Sequence, residues 1–145
     1  AIEVPQRFND SAAKADIEPG EQVLDPKQAL AMARTRKTLP RGDFQRQYHG
    51  GLILQAAQAM VKARGPLALP DLLAGAQPHV STNFGPDGLL VLAAAVIRVD
   101  PAKVVNVVAP GGTGSAGGAS VVCLSGSASA LWEDLADGSL EPPDD

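Results

Sequence analysis

The segment from Arg34 to Arg46 concentrates positive charge in a chain that is acidic as a whole. Five cations lie in it beside a single acid, Asp43, whereas the 145 residues together carry a formal net charge of −4. The five cations are Arg34, Arg36, Lys37, Arg41 and Arg46. The planar guanidinium of arginine matches phosphate oxygens two at a time. The cluster therefore predicts a phosphate or pyrophosphate site.

The same residues also have a simpler interpretation. Arg34 and Arg36 come at the end of a predicted helix, where cations suit the negative end of the helix dipole. Asp43 and Arg46 are three residues apart and would form an exposed ion pair worth under ~1 kcal/mol. His49 follows Arg46 by a further three residues, either as a phosphate donor or proton carrier, or as a partly exposed helix residue. The residues alone leave these alternatives open.

Two successive helices are predicted to carry the cluster. Asp25-Pro26 is typical of a helix start, with Asp at the N-cap and Pro at the first helical position, and this helix should end near Arg36. A second helix is predicted from Asp43 to Arg64, with Gly65-Pro66 as its stop. Gly50-Gly51 interrupts it at a cost of about 1 kcal/mol each, which indicates close approach by a neighbour or ligand, or a bend.

The remaining pattern indicates a layered α/β domain. Helices alternate with short apolar runs of strand type at 104–108 and 121–124, which favours strands covered by helices. The glycine-rich segment 111–118 lacks the Gly-Lys-Ser/Thr ending of a phosphate loop and is interpreted as a strand connection. A pI near 5.1 argues against general nucleic-acid binding. The single cysteine, Cys123, excludes an internal disulfide.

The order of residues in this region resembles the LytR-CpsA-Psr (LCP) family of cell-envelope proteins. The resemblance rests on an Ala-Leu pair followed by Arg34-Thr-Arg36 and then by Asp43-Phe-Gln-Arg46, which matches the family's R-x-R and D-x-x-R segments. Supporting matches are Ile2-Glu-Val-Pro near the start and Trp132-Glu-Asp-Leu near the end. The resemblance covers nearly the whole chain.

The resemblance implies a fold and an activity. The fold is a layered α/β/α domain with a central mixed sheet, of which residues 1–140 would be the latter part of the catalytic domain and 141–145 a disordered tail. Members of the family are anchored to the membrane, face outward, and transfer glycopolymers from a polyprenyl-pyrophosphate carrier onto peptidoglycan. We therefore expect a location at the extracytoplasmic face, with the membrane anchor outside this chain.

The resemblance also implies roles for individual residues. Arg34, Arg36 and Arg46 match the arginines that bind the pyrophosphate, and Asp43 matches the family's acid, expected to be catalytic. His49-Gly50 stands where the family has an Arg-Gln pair, so His49 joins the pyrophosphate-binding set. Leu52, Ala56 and Met60 are candidates for the lipid tunnel. The Mg²⁺ of the family is expected to have its ligands in an upstream half, so no metal site is predicted in this chain, and the fragment alone is expected to be inactive.

Two further functions stay open as alternatives. The His49-Gly50 replacement favours a non-catalytic protein that binds polyprenyl phosphates or wall polymer. The family's association with transcriptional attenuation suggests a regulator, but the acidic charge and the lack of a recognisable DNA-reading motif weigh against it. The expected partners are thus a polyprenyl-pyrophosphate lipid, cell-wall glycan and peptidoglycan, and no nucleic acid.

Overall fold

The computed structural model describes residues 1–138, except for the side chain of Asp137. The chain divides into two compact units, residues 1–104 and a second unit that begins at Val105. Helices and antiparallel strands occur in both, so the predicted α/β class is confirmed.

The first unit opens with four short strands that form one interrupted hairpin. They are β1 (Ile2–Val4), β2 (Phe8–Asp10), β3 (Ala15–Ile17) and β4 (Gly20–Gln22). The inner pair β2–β3 is nested within the outer pair β1–β4, and both are antiparallel. The segment from Phe8 to Gly20 therefore contains two strands, although its polar residues favour a loop.

The hairpin is interrupted because its two sides differ by one residue. Three residues on one side (5–7) face two on the other (18–19), between the pairs Val4–Gly20 and Phe8–Ile17. Each side has a proline there, Pro5 or Pro19, which has no N–H for the strand ladder. This extra residue is a bulge in the long hairpin.

The tip of the hairpin is closed by a carboxylate. Oδ1 of Asp10 accepts hydrogen bonds from the backbone N–H groups of Ala12 (3.0 Å) and Ala13 (3.2 Å). Lys14 completes the turn at a φ of 57°, in the left-handed region that is costly for residues with a Cβ.

Two helices follow as predicted. Helix α1 (Pro26–Arg34) starts with a capping box in which Asp25 accepts from the N–H groups of Lys27 and Gln28. Helix α2 (Gly42–Arg64) runs without a break through Gly50-Gly51. A Cβ built on Gly50 would meet no atom within 4 Å. No close neighbour among the described residues therefore accounts for Gly50.

The core of this unit lies between the hairpin and α1. Alternate hairpin residues point inward, which the strand geometry requires, and they meet the buried face of α1. Leu52 and Ile53 of α2 pack against this cluster. The buried cluster consists of Val4, Phe8, Ala15, Ile17, Ala31, Met32 and Leu39.

The rest of the first unit consists of α3 (Leu69–Ala76), α4 (Pro86–Arg98) and 3-10 turns at Pro66–Ala68, Gln77–His79 and Pro101–Lys103. Polar side chains of α2 bind backbone carbonyls near the end of α4 and beyond it. Gln58 donates to the carbonyl of Val96, and Gln55 donates to that of Val104. None of the helices in residues 1–138 has the length and hydropathy needed to cross a membrane.

The second unit holds strands β5 (Gly111–Ala116) and β6 (Ala119–Leu124), followed by α5 (Ala128–Asp137). The two strands pair around Gly117-Gly118, both at positive φ, as a two-residue hairpin turn requires. The glycine-rich segment is thus largely a strand and not a loop. Residues 104–108 were predicted as a strand, but they form no strand and pair with none within residues 1–138.

The sheet topology differs from the central mixed sheet that the resemblance implied. Within residues 1–138 all paired strands form three separate two-stranded antiparallel sheets. The physical reason is local: the strands of the first hairpin are three residues long and each pairs across a turn or bulge, so no wider ladder forms among them. The predicted disordered tail, residues 141–145, lies outside the described residues.

We predict that Lys14→Gly stabilises the first unit. Glycine adopts a φ of 57° without the Cβ penalty, so the free energy of unfolding should rise by about 0.5–1 kcal/mol. Urea unfolding would measure this. Ala12→Gly is the matched control in the same turn and should give no gain, since Ala12 is not at positive φ. Equal effects of the two variants would contradict the prediction.

Candidate functional site

Asp43 joins two of the predicted arginines at one point. Its Oδ2 lies 2.8 Å from the guanidinium of Arg36, and its Oδ1 lies 2.9 Å from that of Arg46. The Asp43 side chain is only 15% exposed, whereas those of Arg36 and Arg46 are 55% and 42% exposed. The two cations therefore lie at the surface around a mostly covered carboxylate.

The connection between α1 and α2 places these groups. Thr35 is buried, and its hydroxyl donates to the carbonyl of Ala31 at 2.9 Å. Leu39 is buried too, and its carbonyl accepts from the N–H of Gly42, the first residue of α2. These anchors turn the chain sharply enough for Arg36 to reach Asp43 in the first turn of α2.

The arrangement leaves donors available for an anion. A guanidinium has five N–H groups, and Asp43 contacts one nitrogen of each arginine. The Nε of Arg46 is buried and has no hydrogen-bond partner in the part of the chain that the structure describes. Asp43 therefore orients the two cations without using up their hydrogen-bonding capacity, and phosphate oxygens suit the guanidinium donors that remain exposed, which do not include the buried Nε of Arg46.

Arg34 is not joined to this pair. It is the exposed last residue of α1 and forms no salt bridge within residues 1–138. Lys37 and Arg41 are likewise exposed in the connection. The structure thus brings together Arg36 and Arg46 and leaves the other three cations as separate charges nearby in the chain.

His49 faces the interior. It is 1% exposed, and its ring packs edge-on against Phe8 of the hairpin with 4.7 Å between the centroids. Burial lowers the pKa of this imidazole below its ordinary value. Its Nδ1 is buried with no hydrogen-bond partner among the described residues. The alternative that His49 is partly exposed is wrong, and its role toward a phosphate stays a prediction.

An apolar groove of about 170 Å³ opens farther along α2. Two lipid-tunnel candidates, Ala56 and Met60, line it, and the third, Leu52, packs against the hairpin core instead. Ile53 and Ala57, which lie in the same Leu52–Met60 segment, also line it. The other lining residues come from the ends of the outer strands and from α1: Ala1, Ile2, Gln22, Val23, Leu24 and Ala29.

Helix α2 presents the arginine and the groove on one face. Arg46, Gly50, Ile53, Ala57 and Met60 follow each other at steps of three and four residues, the spacing of a single helix face. At 1.5 Å per residue, Arg46 and Ile53 are about 10 Å apart along the axis. Gly50, which has no side chain, lies between them.

Asp10 is a site-associated residue that sequence reasoning missed. Besides closing the hairpin, its Oδ2 accepts from the backbone N–H of Arg36 at 3.4 Å. Burial favours the neutral acid, but N–H donors of Ala13, Arg36, Ala12 and Lys37 outweigh it and lower the pKa of this carboxyl. The signal available in the sequence was an acid within a polar segment, since Asp often accepts backbone hydrogen bonds in turns.

A metal site is not apparent in these residues. Among residues 1–138 no group of three or more histidine, cysteine or acidic side chains is arranged to hold a metal ion. Both carboxylate oxygens of Asp43 contact arginines. Asp43 is thus already paired with two cations, and the ligands of the Mg²⁺ that the family resemblance implies stay an expectation.

We predict that His49 makes stability depend on pH. Because its pKa is lower in the folded state, the unfolded chain binds more protons just below pH 6.5, so the free energy of unfolding should be constant above that pH and decrease below it. The slope cannot exceed about 1.4 kcal/mol per pH unit. Urea unfolding between pH 5 and 8 measures it.

His49→Phe should remove this decrease, and the same change at exposed His79 should leave it in place. A decrease of the same size in the His49→Phe variant would contradict the assignment.

Comparison with known proteins agrees with the sequence pattern. The model of the LytR_cpsA_psr family matches residues 1–136, which is nearly the whole chain. No curated protein matches the chain. The matched range includes the R-x-R and D-x-x-R segments that supply Arg36, Asp43 and Arg46, together with the hairpin and groove around them. The protein belongs to the LytR-CpsA-Psr family, whose function concerns cell-wall glycopolymers.

Proposed function

We propose that this chain binds a polyprenyl-pyrophosphate-linked glycan, with the pyrophosphate at Arg36 and Arg46 and the lipid in the apolar groove of α2. The observation that carries the proposal is that Asp43 pairs with both guanidiniums. Asp43 and Arg46 belong to α2, and the face of α2 that carries Arg46 also lines the apolar groove. A polar head group and an apolar tail would then contact one continuous surface.

Charge supports the binding of a diphosphate. Two arginines around one aspartate keep a net positive charge, and Arg34, Lys37 and Arg41 add to it in the same segment. Phosphoryl transfer depends mainly on positioning and on neutralising the non-bridging oxygens. Arginines at this point would serve both needs.

The proposed reaction is transfer of the glycan to peptidoglycan at the extracytoplasmic face. An acceptor hydroxyl oxygen forms a bond to the glycan-side phosphorus, the bridging P–O bond breaks, and polyprenyl phosphate leaves with the electron pair while the hydroxyl proton passes to water. Arg36 and Arg46 bind and orient the phosphates. Asp43 acts as a positioning residue here, and its catalytic role stays a prediction. The Mg²⁺ of the family would supply further charge neutralisation when bound.

A binding protein without transfer activity is the second candidate. Both oxygens of Asp43 contact arginines, and His49 is buried against Phe8, so neither side chain is presented as a free proton acceptor. The two candidates differ in turnover. Release of polyprenyl phosphate in the presence of peptidoglycan would favour the transferase, and tight binding without release would favour the binder.

We predict that Arg36→Gln and Arg46→Gln each weaken the binding of farnesyl pyrophosphate about tenfold or more. Each change removes a charge-assisted hydrogen bond worth about 1.5–3 kcal/mol. Titration calorimetry would measure the affinity at fixed salt. Arg98→Gln is the matched control, since it removes the same charge at the exposed end of α4.

Equal affinities for Arg36→Gln, Arg46→Gln and Arg98→Gln would rule out the arginine site. Arg34→Gln, measured in the same series, shows whether the third family-matched arginine joins the pair when the ligand is bound.

We predict that Ala57→Trp weakens the binding of farnesyl pyrophosphate but not of inorganic pyrophosphate. The indole would fill the groove and exclude two or three methylene groups of the lipid from it. Because each buried methylene contributes about 0.8 kcal/mol, the affinity should fall by on the order of tenfold or more. Ala63→Trp is the control, an exposed site on the same helix that does not line the groove. Equal loss for both ligands would show that the substitution disturbs the head-group site and not a lipid site.

A further inference from the structure

Asp10 on the hairpin forms a hydrogen bond to the backbone of the α1–α2 connection. Asp10 is a buried acid at the end of β2, and its two oxygens have different partners. Oδ1 accepts the turn N–H groups of Ala12 and Ala13, and Oδ2 accepts the N–H of Arg36. One carboxylate therefore joins the hairpin turn to the residue whose side chain reaches Asp43.

The buried residues Thr35 and Leu39 anchor the connection on either side of Arg36, but neither supplies an acceptor for the backbone N–H of Arg36. Helix α1 ends at Arg34, and the C-cap Thr35 has already left the helical conformation (ψ 129°). The N–H of Arg36 therefore has no helix carbonyl to bond to, and the carboxylate of Asp10 supplies the acceptor.

The negative charge of Asp10, close to a cationic site, distinguishes it from an ordinary turn residue. A carboxylate near a cationic anion-binding site reduces the attraction for phosphate. If Asp10 acted only through its charge, it would therefore weaken the binding of phosphate. Its hydrogen bond to the backbone of Arg36 acts in the opposite direction, because it limits the positions that the guanidinium can take.

We propose that Asp10 is a positioning residue for the pyrophosphate site, acting through the backbone of Arg36. This inference rests on the proposed function, because it concerns the affinity of the same site. Asp10 itself contacts no ligand; it holds the start of the connection so that Arg36 and Arg46 converge on Asp43.

Asp10→Asn separates the two roles of the carboxylate. The amide keeps one oxygen, which can still accept from Ala12 and Ala13, but its NH₂ group meets the N–H of Arg36 as donor against donor. Pure loss of charge would tighten pyrophosphate binding, whereas loss of positioning would weaken it. Asp16→Asn is the matched control, since it removes an exposed acid from the partner strand that pairs with Arg7.

The experiment measures the affinity of the 145-residue chain for inorganic pyrophosphate and farnesyl pyrophosphate by calorimetry. We expect Asp10→Asn to weaken both ligands roughly threefold to tenfold, the effect of one hydrogen bond, and Asp16→Asn to leave both within about twofold. In an Arg36→Gln background the effect of Asp10→Asn should disappear, because Asp10 acts through that arginine. A general loss of structure would persist in that background.

The outcomes are distinguishable. If Arg36→Gln weakens binding but Asp10→Asn matches Asp16→Asn, the role of Asp10 is refuted and the proposed function stands. If neither ligand binds, or Arg36→Gln has no effect, both proposals fail. Thermal unfolding checks that each variant is folded. Should Asp10→Asn unfold, the Lys14→Gly background, which relieves the strained turn residue, provides the stabilised protein in which the same comparison is made.

Discussion

The carboxylate of Asp43 holds two guanidinium groups that would otherwise repel each other. Two like charges 4 Å apart repel each other by about 4 kcal/mol at the effective dielectric of a protein surface, so an anion between Arg36 and Arg46 lowers the cost of bringing them together. Asp43 supplies that anion at 2.8 and 2.9 Å. Because it is one charge against two, the pair stays positive. The cationic site is thus assembled before any ligand arrives, which reduces the ordering that binding would require.

The hairpin supports this pair through three contacts with different parts of the site. Phe8 packs on His49, one turn beyond Arg46 in α2, and Asp10 bonds to the backbone of Arg36. Phe8 and Asp10 are alternate residues of one strand and point to the same side. A third link joins Gln6 in the bulge to Gln45 at 2.8 Å. A short, irregular hairpin therefore contacts both the connection that carries Arg36 and the first turns of α2 that carry Arg46.

The two helices were predictable from sequence because their signals are local. Asp25-Pro26 starts α1 through caps formed within four residues, and Gly65-Pro66 ends α2. The sequence showed that Arg36 and Asp43 belong to one charged cluster, but it did not show that the two form an ion pair. The first strand of the hairpin, Ile2–Val4, could be predicted from its alternation, whereas β2 and β3 were missed because they lie in a polar segment with too few alternating apolar residues. The burial of His49 depends on Phe8, a residue distant in sequence, and nothing in the helix pattern identified that partner. Gly111–Ala116 pairs as a strand despite its glycines, which intrinsic propensity does not favour.

Gly50 connects the two halves of the proposed site. A glycine inside a helix costs about 1 kcal/mol relative to alanine, yet α2 continues through it, and no protein atom lies close enough to require the missing side chain. The helix therefore bears this cost without a packing reason among the described residues. Under the proposed function the reason lies with the ligand. Gly50 stands between Arg46 and Ile53 on the binding face, and a side chain there would separate the pyrophosphate from the groove that receives its lipid.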